Sequence, residues 1–156
     1  MRILIDGDAC PVVDSIVELT TETGIFVYIF RSYAHFSHQD YPSHVQLKYI
    51  DGGRDAVDFA IIKSMHAPDL IVTQDYGLAS IALQKSKYVM HHLGYLYTDD
   101  NIDQLLTQRF YSQRERRKSR RYSKGPKPFS EAQRHHFEVA LQRIIQHELE
   151  KEHKYD

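Results

Sequence analysis

Hydrophobic residues along the chain fall into two patterns, short unbroken runs and spaced stripes, and they alternate. RILI at 2–5 is an apolar β-type run that ends at Asp6. Pro11 suits the first turn of a helix, where its missing N–H costs little. Val12, Val13, Ile16, Val17 and Leu19 continue as a helical stripe, which Gly24 is placed to stop. IFVYIF at 25–30 is the β-branched and aromatic run of a strand covered on both faces. A polar loop holding His35, His38 and His44 leads to VQLKYI at 45–50, a third strand. GGRD opens a helix with Val57, Ala60, Ile61 and Met65 on one side, and Pro68 breaks it. LIVT at 70–73 is a fourth strand, and a helix from Gly77 to about Lys85 follows. YVM at 88–90 and YLYT at 95–98 predict further strands. A helix beginning at Asp99 or Asp100 carries Ile102, Leu105 and Leu106.

This alternation predicts a three-layer α/β domain, a mostly parallel central sheet with helices on both faces. No internal repeat interrupts it, so residues 1–156 read as a single domain with two appendages. One is a basic segment at 109–129 without apolar periodicity. The other is a C-terminal helix at 130–152, opened by a Ser130–Glu131–Ala132–Gln133 capping box. Its stripe of Phe137, Leu141, Ile144, Ile145 and Leu149 docks either on the sheet or on a second copy, which leaves a homo-oligomer open.

Charge changes the picture. Twenty Lys+Arg against twenty-one Asp+Glu give a formal charge of −1, which on its face argues against a nucleic-acid partner. The charge is divided, however. Residues 1–108 hold seven Lys/Arg and fourteen Asp/Glu, whereas 109–156 hold thirteen and seven. Such asymmetry suggests an acidic site paired with a basic arm. One cysteine excludes a disulfide framework and a Cys-rich zinc module. No run approaches the ~20 apolar residues of a membrane helix, and MRILIDGDACP lacks a signal peptide's apolar core. A cytoplasmic protein with no membrane partner is expected.

In an open α/β sheet, ligands bind outside the carboxyl ends of the strands where strand order reverses. Asp6 and Asp8 follow the first strand, Asp51, Asp55 and Asp58 the third, and Asp75 the fourth. Asp55 and Asp58 stand three apart at a helix start, so both face the same way, and the helix dipole favours acids there. Four acids brought within a few ångströms repel unless a cation or protonation neutralises them. Hard oxygen donors without Cys or His favour Mg2+ or Mn2+ over zinc, and such ions activate water for displacement at phosphorus.

DGDACPV at 6–12, GGRDAVDFAI at 52–61, VTQDYGLA at 72–79, the YTDDNI run at 97–102 and the KGPKPFS run at 124–130 resemble the YaiI/YqxD family. That bacterial group of uncharacterised proteins is placed among PIN-like domains. The resemblance covers nearly the whole chain in order; Gly7 stands where alanine is expected between the first two acids. Many PIN-like branches are metal-dependent nucleases with acids at the ends of their first and fourth strands and at the helix between. The resemblance therefore implies a PIN-like fold with Asp6, Asp55, Asp58 and Asp75 as the catalytic and metal-binding set and Asp8 as an adjunct.

The basic segment supplies a matching partner. Arg114, Arg116, Arg117, Lys118, Arg120, Arg121, Lys124 and Lys127 are interleaved with Tyr111, Tyr122 and Phe129, and Arg54 lies beside the acids. Cations for phosphates and rings for bases suit RNA or single-stranded DNA. The expected activity is phosphodiester hydrolysis; a catalytically silent nucleic-acid-binding module accounts for the same arm. A haloacid-dehalogenase-like phosphatase is the third reading, with Asp6 as nucleophile and Asp8, Thr73, Lys85 and Asp99–Asp100 following in order. Cys10 is not part of a C-x5-R phosphatase loop, because Ile16 occupies the arginine position. The histidines complete no zinc ligand set, although His91 or His92 is placed to touch substrate.

Overall fold

The computed structural model describes residues 1–36, 38–53, 55–119 and 127–154, the side chains of 116–119 excepted. Strands β1 (Ile3–Asp6), β2 (Val27–Ser32), β3 (Val45–Ile50), β4 (Leu70–Val72) and β5 (Tyr88–Met90) form one sheet in the order β3-β2-β1-β4-β5. Every neighbouring pair is parallel. Helices α1 (Val13–Thr20), α2 (Ala56–Ser64), α3 (Tyr76–Ala82), α4 (Asp99–Ser119) and α5 (Glu131–Lys154) complete the fold.

Strand pleating divides the core in two. Ile3, Ile5, Val27, Ile29, Leu70 and Val72 point to one face, where Val13 and Ile16 of α1 and Phe137, Leu141 and Ile145 of α5 cover them. Leu4, Phe30, Ile71 and Val89 point to the other, against Val57 and Ile61 of α2, Leu78 and Ala82 of α3, and Ile102 of α4. Both faces of the inner strands are therefore buried, which is why their sequences read as unbroken apolar runs. The result is a three-layer α/β fold of the PIN-like kind.

The α5 stripe docks in cis. Ser15 Oγ donates to Glu138 Oε1 at 2.8 Å, and Arg134 donates to the Pro11 carbonyl at 2.9 Å. The capping box forms in both directions: Ser130 N–H donates to Gln133 Oε1 at 2.9 Å, and Gln133 N–H donates to Ser130 Oγ at 3.1 Å.

Several elements depart from expectation. The helix α1 starts at Val13, past Pro11, and β2 lies two residues later than the apolar run, leaving Phe26 exposed. Residues 95–98 form no strand. Gly94, at φ +99°, folds the chain back so that only an antiparallel bridge joins Leu96 to Met90. The helix α4 does begin at Asp99, capped by Thr98, which exchanges backbone-to-side-chain bonds with Asn101 at 2.9 and 3.1 Å. The expected irregular arm is helical in its first part, since α4 runs on through Ser119. Its described side chains from Thr107 to Glu115 are all exposed, so no apolar stripe marks this stretch. Its Arg, Gln, Glu and Lys are good helix formers, so the stretch extends the packed first turns of α4 without an apolar face of its own. No helix of the described residues is long and apolar enough to cross a membrane.

Candidate functional site

The chain lays β2 and β3 on one side of β1 and β4 and β5 on the other, so strand order reverses between β1 and β4. Asp6 is the last residue of β1, and Thr73–Gln74–Asp75 leave β4 beside it. A crevice must open where neighbouring crossovers depart in opposite directions. It is a cleft of about 760 Å3, and Asp6, Asp8, Asp55, Asp58 and Asp75 all line it. The end of β1, the 3-10 turn Gly7–Ala9 that follows it, and the starts of α2 and α3 are the four elements that bring the five acids together.

Each acid is held by a local device. Asp6 Oδ2 accepts from Thr73 Oγ1 at 2.9 Å, and Thr73 Oγ1 accepts from the Asp75 N–H at 3.0 Å. Asp75 caps α3, its Oδ1 accepting from the N–H groups of Gly77 at 2.8 Å and Leu78 at 3.2 Å. Asp8 Oδ1 accepts from the Ser32 N–H at 2.9 Å, and His35 Nδ1 stands 3.3 Å from it. Gly52 and Gly53, at φ +118° and +94°, turn the chain out of β3 so that α2 begins at the cleft. That turn places Asp55 at the helix N-cap and Asp58 in its first turn; the Asp55 side chain makes no capping bond.

The acids feel one another. Burial raises the Asp6 pKa above the ordinary carboxylate value; the Thr73 hydroxyl offsets part of this, and the Asp75 and Asp8 charges add to it. Partial burial first, then the charges of Asp75, Asp6 and Asp55, push Asp58 up to about 6. Among the described residues, Arg109 of α4 answers them, its Nη1 lying 3.8 Å from Asp75 Oδ1. Among the described residues, no three of His, Cys, Asp or Glu converge as a ready-made metal site.

The donor chemistry nonetheless suits a hard ion. All five acids are oxygen donors, Asp6 retains Oδ1, and Asp75 retains Oδ2 outside its capping bonds. Mg2+ keeps several waters and takes only one or two carboxylates, so tight convergence of three is not a requirement.

Other expectations fall differently. Lys85 and Asp99–Asp100 do not line the cleft, so the ordered set needed by a phosphatase does not assemble around Asp6. Burial pushes the Cys10 thiol up to about 12, which leaves it without thiolate character. His91 is buried, held neutral with a pKa of about 4, and its Nδ1 accepts from the Leu93 N–H. Half-buried His92 packs on Phe129 and lies behind the cleft, near Asp6 and Cys10. Of the basic residues, Arg114 and Lys127 are exposed. Arg116, Arg117 and Lys118 lie on α4 with their side chains outside the described residues, and Arg54, Arg120, Arg121 and Lys124 lie wholly outside them.

Sequence reasoning missed His35, Gln74, Arg109 and Gln113 as cleft residues. Arg109 and Gln113 stand at i and i+4 on α4, a spacing visible in the sequence once the segment is read as helix. His35 carried no such signal.

Fold and cleft define a doubly wound, all-parallel α/β domain with an acidic crevice at its topological switch point. The chain belongs to the YaiI/YqxD family: the family model described as "Uncharacterized BCR, YaiI/YqxD family" matches residues 4–147. It is similar to the UPF0178 protein SH2212 of Staphylococcus haemolyticus (strain JCSC1435), 54% identical over 144 residues, 92% of this chain and 97% of that protein. The UPF0178 protein SAR0734 of Staphylococcus aureus (strain MRSA252) is 52% identical over 144 residues, 92% of this chain and 94% of that one. No solved structure gives a significant match.

Proposed function

We propose that the protein is a metal-dependent nuclease that hydrolyses phosphodiester bonds of RNA or single-stranded DNA in the acidic cleft. The observation that carries this reading is the meeting of Asp6, Asp8, Asp55, Asp58 and Asp75, from four elements, around one crevice. Asp6 and Asp75 would hold a Mg2+ or Mn2+ ion, with Asp8, Asp55 and Asp58 beside them. Such an ion supplies positive charge that stabilises phosphoryl oxygens and acidifies water. The Thr73 hydroxyl orients the Asp6 carboxylate, and the α3 N–H groups hold Asp75. Asp58, with its pKa near 6, is matched to accept the proton of an attacking water at neutral pH. The water oxygen bonds to phosphorus, the bond from phosphorus to the leaving ribose or deoxyribose oxygen breaks, and that oxygen takes a proton from solvent. Arg109, Arg114 and Lys127 contribute cations for the phosphate backbone.

A second reading has one specific support. Arg109 of the chain itself lies 3.8 Å from Asp75, so part of the cleft's negative charge is answered without a metal, as a silent binding module would use it. The two readings separate on a labelled single-stranded RNA incubated with Mn2+ or with EDTA. Cleavage with Mn2+ that Asp6→Asn or Asp75→Asn abolishes, with folding intact, supports the nuclease. Salt-sensitive binding that persists in EDTA without turnover in any divalent metal supports the silent module.

A further inference from the structure

Outside the acids, one group of exposed rings stands beside the cleft; the other exposed ring pair is Phe110 with Tyr111 on α4, among the described residues. Residues 33–35 form a 3-10 turn just past β2, and the Tyr33 and Phe36 side chains are 58% and 54% exposed. Both rings lean on Tyr49 of β3: Tyr33 stacks at 5.6 Å and 23°, and Phe36 tilts at 5.0 Å and 36°. Tyr49 is paired across the sheet with Arg31 of β2. Arg31 lines a depression of about 430 Å3 that shares Asp8, Ala9 and His35 with the acidic cleft. The turn is also tied to the cleft, since Ser32 donates its N–H to Asp8 and its hydroxyl meets His35 Nδ1 at 3.0 Å.

We propose that Tyr33 and Phe36, braced by Tyr49, are a base-stacking platform for single-stranded nucleic acid, with Arg31 contacting the phosphate between platform and acids. This deepens the nuclease reading and rests on it for the direction in which the strand continues. The two rings already pack on Tyr49 without a ligand, which lowers the ordering cost of binding. Continuity with the cleft and the adjoining cation both favour a polyanion with flat apolar groups. A protein partner fits less well: three rings of about 200 Å2 each, each partly covered, fall short of the roughly 800 Å2 a partner contributes to a stable interface. A duplex cannot use the platform, because its bases are stacked on each other. The strand then runs from the rings, over Arg31 and His35, into the acids, towards Arg109 and Gln113 on the far side.

The chain contains no tryptophan, so Phe36→Trp installs a sole indole reporter. Full-length protein in EDTA is titrated with a short labelled oligouridine and with duplex RNA of equal length. The indole emission of Phe36→Trp is quenched by oligouridine but not by duplex. A Tyr33→Ala/Phe36→Ala variant with unchanged circular dichroism binds oligouridine about tenfold or more weakly and loses the preference over duplex. Parental affinity in that double variant, or an unquenched indole, overturns the platform. So does a concentration-dependent dimer of the parent that the double variant abolishes, because the rings then serve a protein contact. Quenching without any metal-dependent turnover keeps the platform and removes the nuclease reading; turnover without quenching does the reverse.

Discussion

Removing the Asp58 carboxylate should stabilise the protein at neutral pH, because partial burial first, and then the charges of Asp75, Asp6 and Asp55, oppose its ionised form. A carboxyl titrating near 6 rather than 3.8 corresponds to about 3 kcal/mol of penalty on its ionised form. Asp58 is only half-buried, and solvent screening reduces this to about 1–2 kcal/mol. An acid in the first turn of α2 gains about 0.5 kcal/mol from the helix dipole, which Asp58→Asn forfeits. The net gain is about 1 kcal/mol, or about 2–4 °C in Tm for a chain of this size. The sign with pH follows from proton binding. Between about 4 and 6 the folded carboxyl holds a proton that the unfolded one has released, so stability falls as pH rises through that window. Above 6 the penalty is complete, and below 4 both states are protonated and it vanishes. Thermal unfolding by circular dichroism, in EDTA, therefore shows Asp58→Asn melting above the parent at pH 7.5 and level with it or slightly below at pH 3.5. A variant that melts lower at pH 7.5, or gains equally at both pH values, refutes a penalty on the ionised Asp58 carboxylate.

The remaining predictions concern the frame and the cation in the cleft. Gly94→Ala forces a side chain onto φ +99° and sets its Cβ 2.7 Å from His136 Nδ1 and 3.1 Å from Phe137 Cα, so urea unfolding should show a loss of about 2 kcal/mol. Phe137→Ala empties a fully buried site between α5 and the sheet and should cost about 3–5 kcal/mol by the same measurement. Undocking of α5 in the parent, seen as rapid hydrogen exchange at 137–145, would contradict that packing. Arg109→Ala removes the cation beside Asp75, so calorimetry should show Mn2+ binding several-fold tighter and single-stranded RNA binding weaker; unchanged Mn2+ affinity argues that Arg109 and the ion do not compete.

What the sequence announced, it announced through local chemistry. RILI stops at Asp6 and LIVT is followed by Asp75 because backbone pairing ends there, and a parallel sheet buried on both faces leaves only its strand ends for polar groups. The GGRD run marked the turn into α2 through its glycines, and both have positive φ. Contacts made across space were harder to read. Arg109 reaches the cleft only because α4 continues as a helix beyond Leu106, its last apolar residue packed on the core, and an exposed stretch of helix leaves no periodic signature. His35 reaches it through a 3-10 turn anchored on Asp8, a long-range bond that no spacing encodes. The segment at 95–98 has strand-like residues, but Gly94 reverses the chain and tertiary packing of Tyr97 against Thr73 decides its course. The helix at Asp99 was legible from its acids and its apolar stripe, whereas the Thr98–Asn101 exchange that satisfies its end donors was not.

The most direct test is the time course of a labelled single-stranded RNA with purified protein, Mn2+ present or absent, for the parent and Asp75→Asn. Asp75→Asn is chosen because its amide oxygen can still cap α3 while the charge at the cleft is lost. Metal-dependent shortening by the parent, and a loss of at least about a hundredfold in the folded variant, is the predicted result. Equal cleavage by both proteins, or an intact substrate with every divalent metal, would contradict a catalytic role for the strand-end acids.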